Sequence, residues 1–301
     1  MTKSILIVGG SGFVGANLAL RLREGHKVFA TSYSRKTRIP GVTTIPMSFD
    51  KPDWIKHVIY STRPDVVIYV AGNNLLEWAQ KDANAREVEK THVSGPTLVL
   101  GAATIVGSRF VYLSNCYAFD GAKGNYKESD TVLPLSTLGK AKVAGENAVK
   151  GRAMNYTIVR SSPLFGRSLG GVGNLMDQLR TRLDKGMRLE LNTNELHSFA
   201  PISGLCELIE KIVDEGPRNK IFHYGGLTKM THFDFGRKFA DAFGYDPGLI
   251  VAKKSAAAAE SHSTQWGFDY SLNSTHTVES LKIKPLLLEE GFDLIKQGLI
   301  V

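Results

Sequence analysis

Apolar residues in this chain fall into short β-rich runs separated by stretches with helical spacing. Ser4–Val8 is the first run, and 27–31, 65–71, 109–114 and 156–160 repeat the pattern. Runs that are apolar at nearly every position suit strands buried on both faces, as in a parallel sheet. Between them, Val14, Leu18 and Leu22 share one helical face, and 54–62, 83–106 and Thr137–Arg152 also read as helices. The long pattern 83–106 contains Gly95-Pro96, where a helix must break or bend. Strand–helix alternation at this spacing predicts an α/β, Rossmann-type doubly wound parallel sheet with right-handed crossovers.

The second half is less regular. A glycine-rich loop covers 166–173, and an amphipathic helix follows to Met187. Residues 204–215 and 231–243 read as helices around a strand at Lys220–Tyr224, and 256–260 reads as a short helix or a loop. With no internal repeat and no long low-complexity linker, this half is expected to pack on the first. The expected division is a dinucleotide-binding domain, 1–163, completed by about 201–224. The segments 164–200 and 225–301 would form a smaller C-terminal substrate-type domain.

At 301 residues, 43% hydrophobic and 22% charged, the chain can bury a large core. It lacks an apolar run of about 18 residues, so no membrane-spanning helix is expected. The first residues lead straight into the first strand, leaving no room for a signal peptide. Cys116 and Cys206 are too few for a disulfide framework, and a cytoplasmic location is expected. The net charge of +8 comes from scattered Lys and Arg rather than a basic tract, so nucleic acid is not expected as a partner. An anionic small molecule accounts for the surplus as well.

Gly9-Gly10-Ser11-Gly12-Phe13-Val14-Gly15 lies between the first strand and the first helix. Gly9 permits a tight turn, Gly12 lets backbone approach a pyrophosphate, and Gly15 packs helix against strand. The diphosphate then rests on amides at the positive helix end. An NAD site wants an acid about twenty residues farther on, to accept from the ribose 2′-hydroxyl. No Asp or Glu occurs between Glu24 and Asp50, where Ser32, Ser34, Arg35 and Lys36 stand instead. Hydroxyls and two cations suit a 2′-phosphate, with Arg35 able to bind it bidentately, although a solvated loop would look the same. NADP(H) is the cofactor expected here.

Several further segments extend this pattern: Ser48-Phe49-Asp50, Val70-Ala71-Gly72, Tyr112 through Gly121, Lys142 through Glu146, and Arg160 through Gly166. More loosely, 230–244 and 268–285 belong with them. In their order and spacing the chain resembles the extended short-chain dehydrogenase/reductases. Within these it is similar to the dTDP-4-dehydrorhamnose reductases and to the regulatory β subunit of methionine adenosyltransferase. The resemblance implies a small-molecule dinucleotide held by Gly9, Ser11, Gly12, Phe13, Val14, Gly15, Ser32, Ser34, Arg35 and Lys36. It adds Asp50, Val70, Ala71, Gly72, Ser114, Lys142, Pro163 and Leu164 to the cofactor set. Asn174 and His197 would face a substrate, His197 standing where such proteins often carry an Arg for substrate phosphate.

The reductase chemistry of that family needs a Tyr, a Lys four residues later, and a Ser or Thr after the fifth strand. Lys142 is in place, but Leu138 occupies the tyrosine position, and none of the ten tyrosines has a lysine four residues on. Asn115 and Cys116 replace the Thr and Asp of the usual Ser-Thr-Asp-Tyr stretch. Leucine has no ionisable proton, so the acid–base step cannot pass through residue 138. Lys142 either anchors the cofactor or is a surface cation. Tyr117 could serve as an atypical acid. Cys116 could act as acid or nucleophile if Lys142 stabilised its thiolate, or it could be a packing residue. Asn115 can donate a hydrogen bond but cannot exchange a proton. His197 either holds substrate weakly or is a surface histidine. Two readings follow. The chain is a non-catalytic or repurposed sensing or regulatory NADP(H)-binding protein, with a protein or nucleotide-sugar partner. Alternatively, it is a working NADP-dependent nucleotide-sugar reductase or epimerase with an atypical acid.

Overall fold

The computed structural model describes residues 1–34, 38–169, 173–253 and 269–298. Its strands are β1 (Ser4–Val8), β2 (Lys27–Ser32), β3 (Thr43–Pro46), β4 (Val66–Tyr69), β5 (Arg109–Asn115), β6 (Tyr156–Ser161), β7 (Leu164–Phe165), β8 (Leu189–Leu191), β9 (Ala200–Pro201), β10 (Lys220–Tyr224) and β11 (Ile250–Ala252). Helices α1 (Phe13–Leu22), α2 (Pro52–Thr62), α3 (Leu76–Ala79), α4 (Ala85–Glu89), α5 (Gly95–Ile105) and α6 (Thr137–Arg152) belong to the first half. The second half adds α7 (Leu175–Leu183), α8 (Ile202–Glu215), α9 (His232–Ala242), α10 (Thr275–Leu281) and α11 (Leu288–Lys296).

Seven strands form one parallel sheet in the order β10-β6-β5-β4-β1-β2-β3. The near-continuous apolar runs are explained by burial on both faces. Ile5 and Ile7 pack with Leu18 and Leu22 of α1 and with Leu205 and Leu208 of α8. Leu6 and Val8 turn the other way, onto Ile55 and Ile59 of α2 and Val99 of α5. From β1 the chain runs outward through β2 and β3, then crosses back to β4, so the switch point lies between β1 and β4. Ligands of doubly wound sheets sit there, beyond the carboxyl ends of the strands. Edge strand β3, with no buried residue, carries no apolar signal and is absent from the sequence reading.

The expected long helix over 83–106 is interrupted. A π-helical turn, Lys90–Ser94, joins α4 to α5. Gly95 N–H donates to the Lys90 carbonyl, and Pro96 has no N–H to offer, so two carbonyls lose their α-helical partners. Hydroxyls from the sheet replace them: Tyr69 donates to the Thr91 carbonyl at 2.6 Å and Tyr112 to that of His92 at 3.4 Å. This turn backs the loop that follows β4. The segment 256–260 lies outside the described residues.

Smaller elements complete the second half. Strand β8 pairs with β11 and β7 with β9, over a core of Phe165, Phe235, Phe239 and Phe292. A fourth cluster gathers Cys116, Tyr117, Phe119, Leu138 and Tyr270. Among the described residues no helix is long and apolar enough to cross a membrane.

One buried ion pair ties α6 to β6. The Arg160 guanidinium grips Glu146 at 2.9 and 2.7 Å, and both side chains are sealed from solvent. Burial works to raise the Glu146 carboxyl, but hydrogen bonds and charge from Arg160 prevail and hold it below its ordinary 4.5. The folded value is the lower one, so this contribution is full above about pH 4.5 and fades as pH falls through the lowered value. Glu146→Gln should cost about 3–5 kcal/mol in urea unfolding, because it leaves the buried guanidinium uncompensated. The double change Glu146→Leu with Arg160→Met should restore much of that loss.

Candidate functional site

Strand β1 ends at Val8 and the chain turns sharply at Gly9, whose φ is +91°. A Cβ there would lie 2.6 Å from the Ala71 Cα, and one on Gly15 would lie 2.3 Å from the Gly9 carbonyl. Both glycines are therefore required by protein packing. Gly12 differs: its φ of −81° suits any residue, and a Cβ would meet nothing closer than 3.4 Å. The space in front of Gly12 is cavity. Helix α1 begins at this point with no side-chain cap and no acid in its first turn. Its N-terminal amides and positive dipole end are therefore available to an anion, which fits the pyrophosphate of a dinucleotide.

A cavity of about 1110 Å³ opens at the switch point, ample for a dinucleotide and a second small molecule. Gly9, Ser11, Gly12, Phe13, Val14 and Gly15 form one wall, with Ser32 and Ser34 at one rim. Val70, Ala71 and Gly72 face them, and Ser114, Pro163, Leu164 and Asn174 also line the space. Gly72 has a φ of +116° and abuts the buried His92 ring, which leaves no room for a side chain. Asn174 caps α7, accepting from Asp177 N–H at 3.2 Å and donating to the Gly166 carbonyl at 3.0 Å. Arg35 and Lys36 lie outside the described residues.

Asp50 departs from expectation. It is exposed and paired with Lys90 at 3.1 Å, while its neighbours Met47, Ser48 and Phe49 line the cavity. Lys90 draws it toward the π-helical turn.

The proton-transfer positions depart further. Leu138 is fully buried in the cluster of Cys116, Tyr117 and Tyr270, away from the cavity wall. Lys142, expected as a cofactor anchor or surface cation, is no surface cation, and it does not line the cavity. It is buried behind β5, where Nζ donates to the Leu113 carbonyl at 3.0 Å and lies 5.5 Å from the Tyr112 ring centre. Burial pushes the ammonium down to about 7, with Glu146 opposing.

Cys116 is not a thiolate held by Lys142. Its Sγ faces His197 Nδ1 at 3.8 Å, and burial, then the Glu195 charge, push the thiol up. His197 is no surface residue and does not reach the cavity. It is fully buried, stacked on Tyr270 at 5.7 Å, with Nε2 placed 3.3 Å from the Glu195 carboxylate. Tyr117 does line the cavity, and burial, then Cys116 and Glu195, hold its phenol well above the usual range. Asn115 accepts from the Tyr117 N–H at 3.1 Å, while its Nδ2 has no partner among the described residues.

Glu195 and His232 are among the lining residues that carried no sequence signal. Burial, then the neighbouring His197, push His232 down to about 3, so its ring is neutral. Only the fold brings 195–197 and 232 against 115–117.

The family description RmlD substrate binding domain matches residues 2–272. The chain belongs to that family. A dTDP-4-dehydrorhamnose reductase of Aggregatibacter actinomycetemcomitans is 28% identical over 240 residues, covering 77% of this chain and 76% of the relative. Methionine adenosyltransferase 2 subunit beta of Bos taurus is 24% identical over 252 residues, covering 80% of this chain and 72% of its own. In structure, a Bacillus anthracis dTDP-4-dehydrorhamnose reductase solved with NADP superposes with a TM-score of 0.82 at 18% identity, over 99% of this chain and 100% of that one. The shared architecture of this RmlD family member is thus an extended short-chain dehydrogenase/reductase fold.

The sealed lysine has a measurable consequence. Its folded value of about 7 lies below the ordinary 10.5, so the unfolded chain binds more protons between these limits and stability rises with pH there. Lys142→Met should therefore stabilise the protein by on the order of a few kcal/mol below pH 7, less about 1 kcal/mol for the orphaned Leu113 carbonyl. The gain should shrink toward pH 10.5 in denaturant melts taken across that range.

Proposed function

We propose that this chain binds NADP(H) in the Gly9–Gly15 cradle and uses it as a structural or sensing ligand, without the reductase step of its relatives. The observation that carries this reading is the condition of the proton-transfer half. Leu138 is buried in an apolar cluster and Lys142 spends its ammonium on the Leu113 carbonyl, while the cradle opposite them stays open. When bound, the dinucleotide would supply a hydride donor or acceptor at its nicotinamide. A phenol at 138 would have to fit among Cys116, Tyr117 and Tyr270, which pack around Leu138.

The NADP complex of the Bacillus anthracis reductase supports the cofactor, and Ser32 and Ser34 at the rim agree with a 2′-phosphate there. The bovine relative is by name a subunit, which favours a protein partner for this chain. Free, buried Cys116 and Cys206 agree with a cytoplasmic location. One observation favours the second reading, a reductase or epimerase with an atypical acid: Tyr117 lines the cavity beside the Glu195 carboxylate.

NADPH should bind at least about tenfold tighter than NADH, a difference of roughly 1.4 kcal/mol, and Arg35→Ala should erase most of that preference. Gly12→Val should abolish binding of both while leaving the circular dichroism spectrum unchanged, since only cavity lies in front of residue 12. Equal calorimetric affinities for the two dinucleotides would sink the 2′-phosphate assignment.

Turnover separates the two readings. The purified protein should oxidise no NADPH above background with dTDP-4-keto-6-deoxy sugars. Robust turnover lost in Tyr117→Phe would establish the second reading instead.

A further inference from the structure

Beyond the dinucleotide cradle the cavity continues into an end built from both halves of the chain, and its chemistry is specific. Asn115 is 8% exposed and lines this end, with Nδ2 lacking a partner among the described residues. His232 also lines it, and its Nδ1 lacks a partner as well. Glu195 faces the same space, its carboxylate oriented by His197 Nε2 at 3.3 Å and approached by the Tyr117 hydroxyl. Two unfilled polar atoms and an oriented carboxylate, walled by Phe199 and Phe235, make a built site for a small polar ligand.

The charges choose the ligand. Glu190 on β8 and Glu195 both line the cavity. Among the described lining residues there is no arginine, and the cations are Lys81, Lys90 and Lys253. Lys90 is engaged by Glu87 at 2.9 Å and by Asp50, and Lys253 pairs with Glu77. A carboxylate accepts hydrogen bonds and favours a cation. An anionic group at this end would face the Glu195 carboxylate.

We propose that the end of the cavity formed by Asn115, Tyr117, Glu195 and His232 binds a small cationic or polyhydroxylated molecule and selects against an anionic one. An ammonium or hydroxyl group donates to Glu195, and Asn115 Nδ2 donates to an oxygen of the ligand. This rests on the reading of the cavity as a dinucleotide site with a second compartment, and it departs from the nucleotide-sugar partner that the resemblance implies.

Three sugars of matched size test it: glucosamine, glucose and glucose 6-phosphate, titrated calorimetrically at pH 7 into the NADPH-loaded protein and into the protein alone. Affinity should fall in that order, with at least about a tenfold gap between the first and the last. Glu195→Gln should shrink the gap to about threefold or less without changing NADPH affinity. Glu190→Gln, at an exposed position, should narrow it in part and supplies the test should the first variant fail to fold. Glucose 6-phosphate or UDP-glucose binding as tightly as glucosamine would overturn the proposal. So would an order unchanged in both variants, or no saturation by any sugar up to 100 mM. Failure of NADPH to bind would instead refute the dinucleotide reading, and the ranking on the protein alone would still decide this one.

Discussion

Burial of both faces of the parallel sheet is the constraint on which the rest depends. Helices α1 and α8 cover one face and α2 and α5 the other, so β1 and β4 must hand the chain to opposite sides at their carboxyl ends. The crevice between those departures is where Gly9 turns, where α1 presents its uncapped amides, and where Gly72 lies close against His92. A phosphate-binding cradle follows from the topology once the side chains there are absent. Gly9 and Gly15 serve that packing, and Gly12 serves whatever approaches from outside.

The same wall that completes the cradle closes the opposite half of the site. Position 142 lies on α6, which packs against β5, and its ammonium, four residues before the Glu146 carboxylate, has no phenol at 138 beside it. It finds the Leu113 carbonyl instead, at the cost of burying an ammonium. Leu138 fills apolar space among Cys116, Tyr117 and Tyr270, and His197 is drawn into that cluster between Cys116 and Glu195. Leu138 thus belongs to a packed cluster and leaves no gap beside the cavity. The polar groups left facing the cavity, Asn115 and Glu195, suit recognition by hydrogen bonding.

Much of this was legible in the chain. The β1, β4 and β5 runs are apolar because both faces are covered, and Thr137–Arg152 is bounded as a helix by residues with local preferences. The cradle was legible because its glycines answer to backbone geometry alone. What escaped depends on distant partners. The π-helical turn needs the Tyr69 and Tyr112 hydroxyls to satisfy its carbonyls, and β3 is too exposed to show an apolar pattern. Whether Lys142 meets a ribose or a carbonyl, and whether His197 is buried, is decided by packing between segments far apart in the chain. Position 138 announced what was missing, and only the fold could say what filled the space.

The central claim is that the cradle functions while the proton-transfer half is sealed, and a crystal structure of the protein soaked with NADPH tests it most directly. The account predicts pyrophosphate on the amides that open α1, Asn115 and Tyr117 nearest the nicotinamide, and Lys142 still bonded to the Leu113 carbonyl. A Lys142 ammonium swung onto the nicotinamide ribose, with an ionisable side chain poised at the nicotinamide C4, would contradict it.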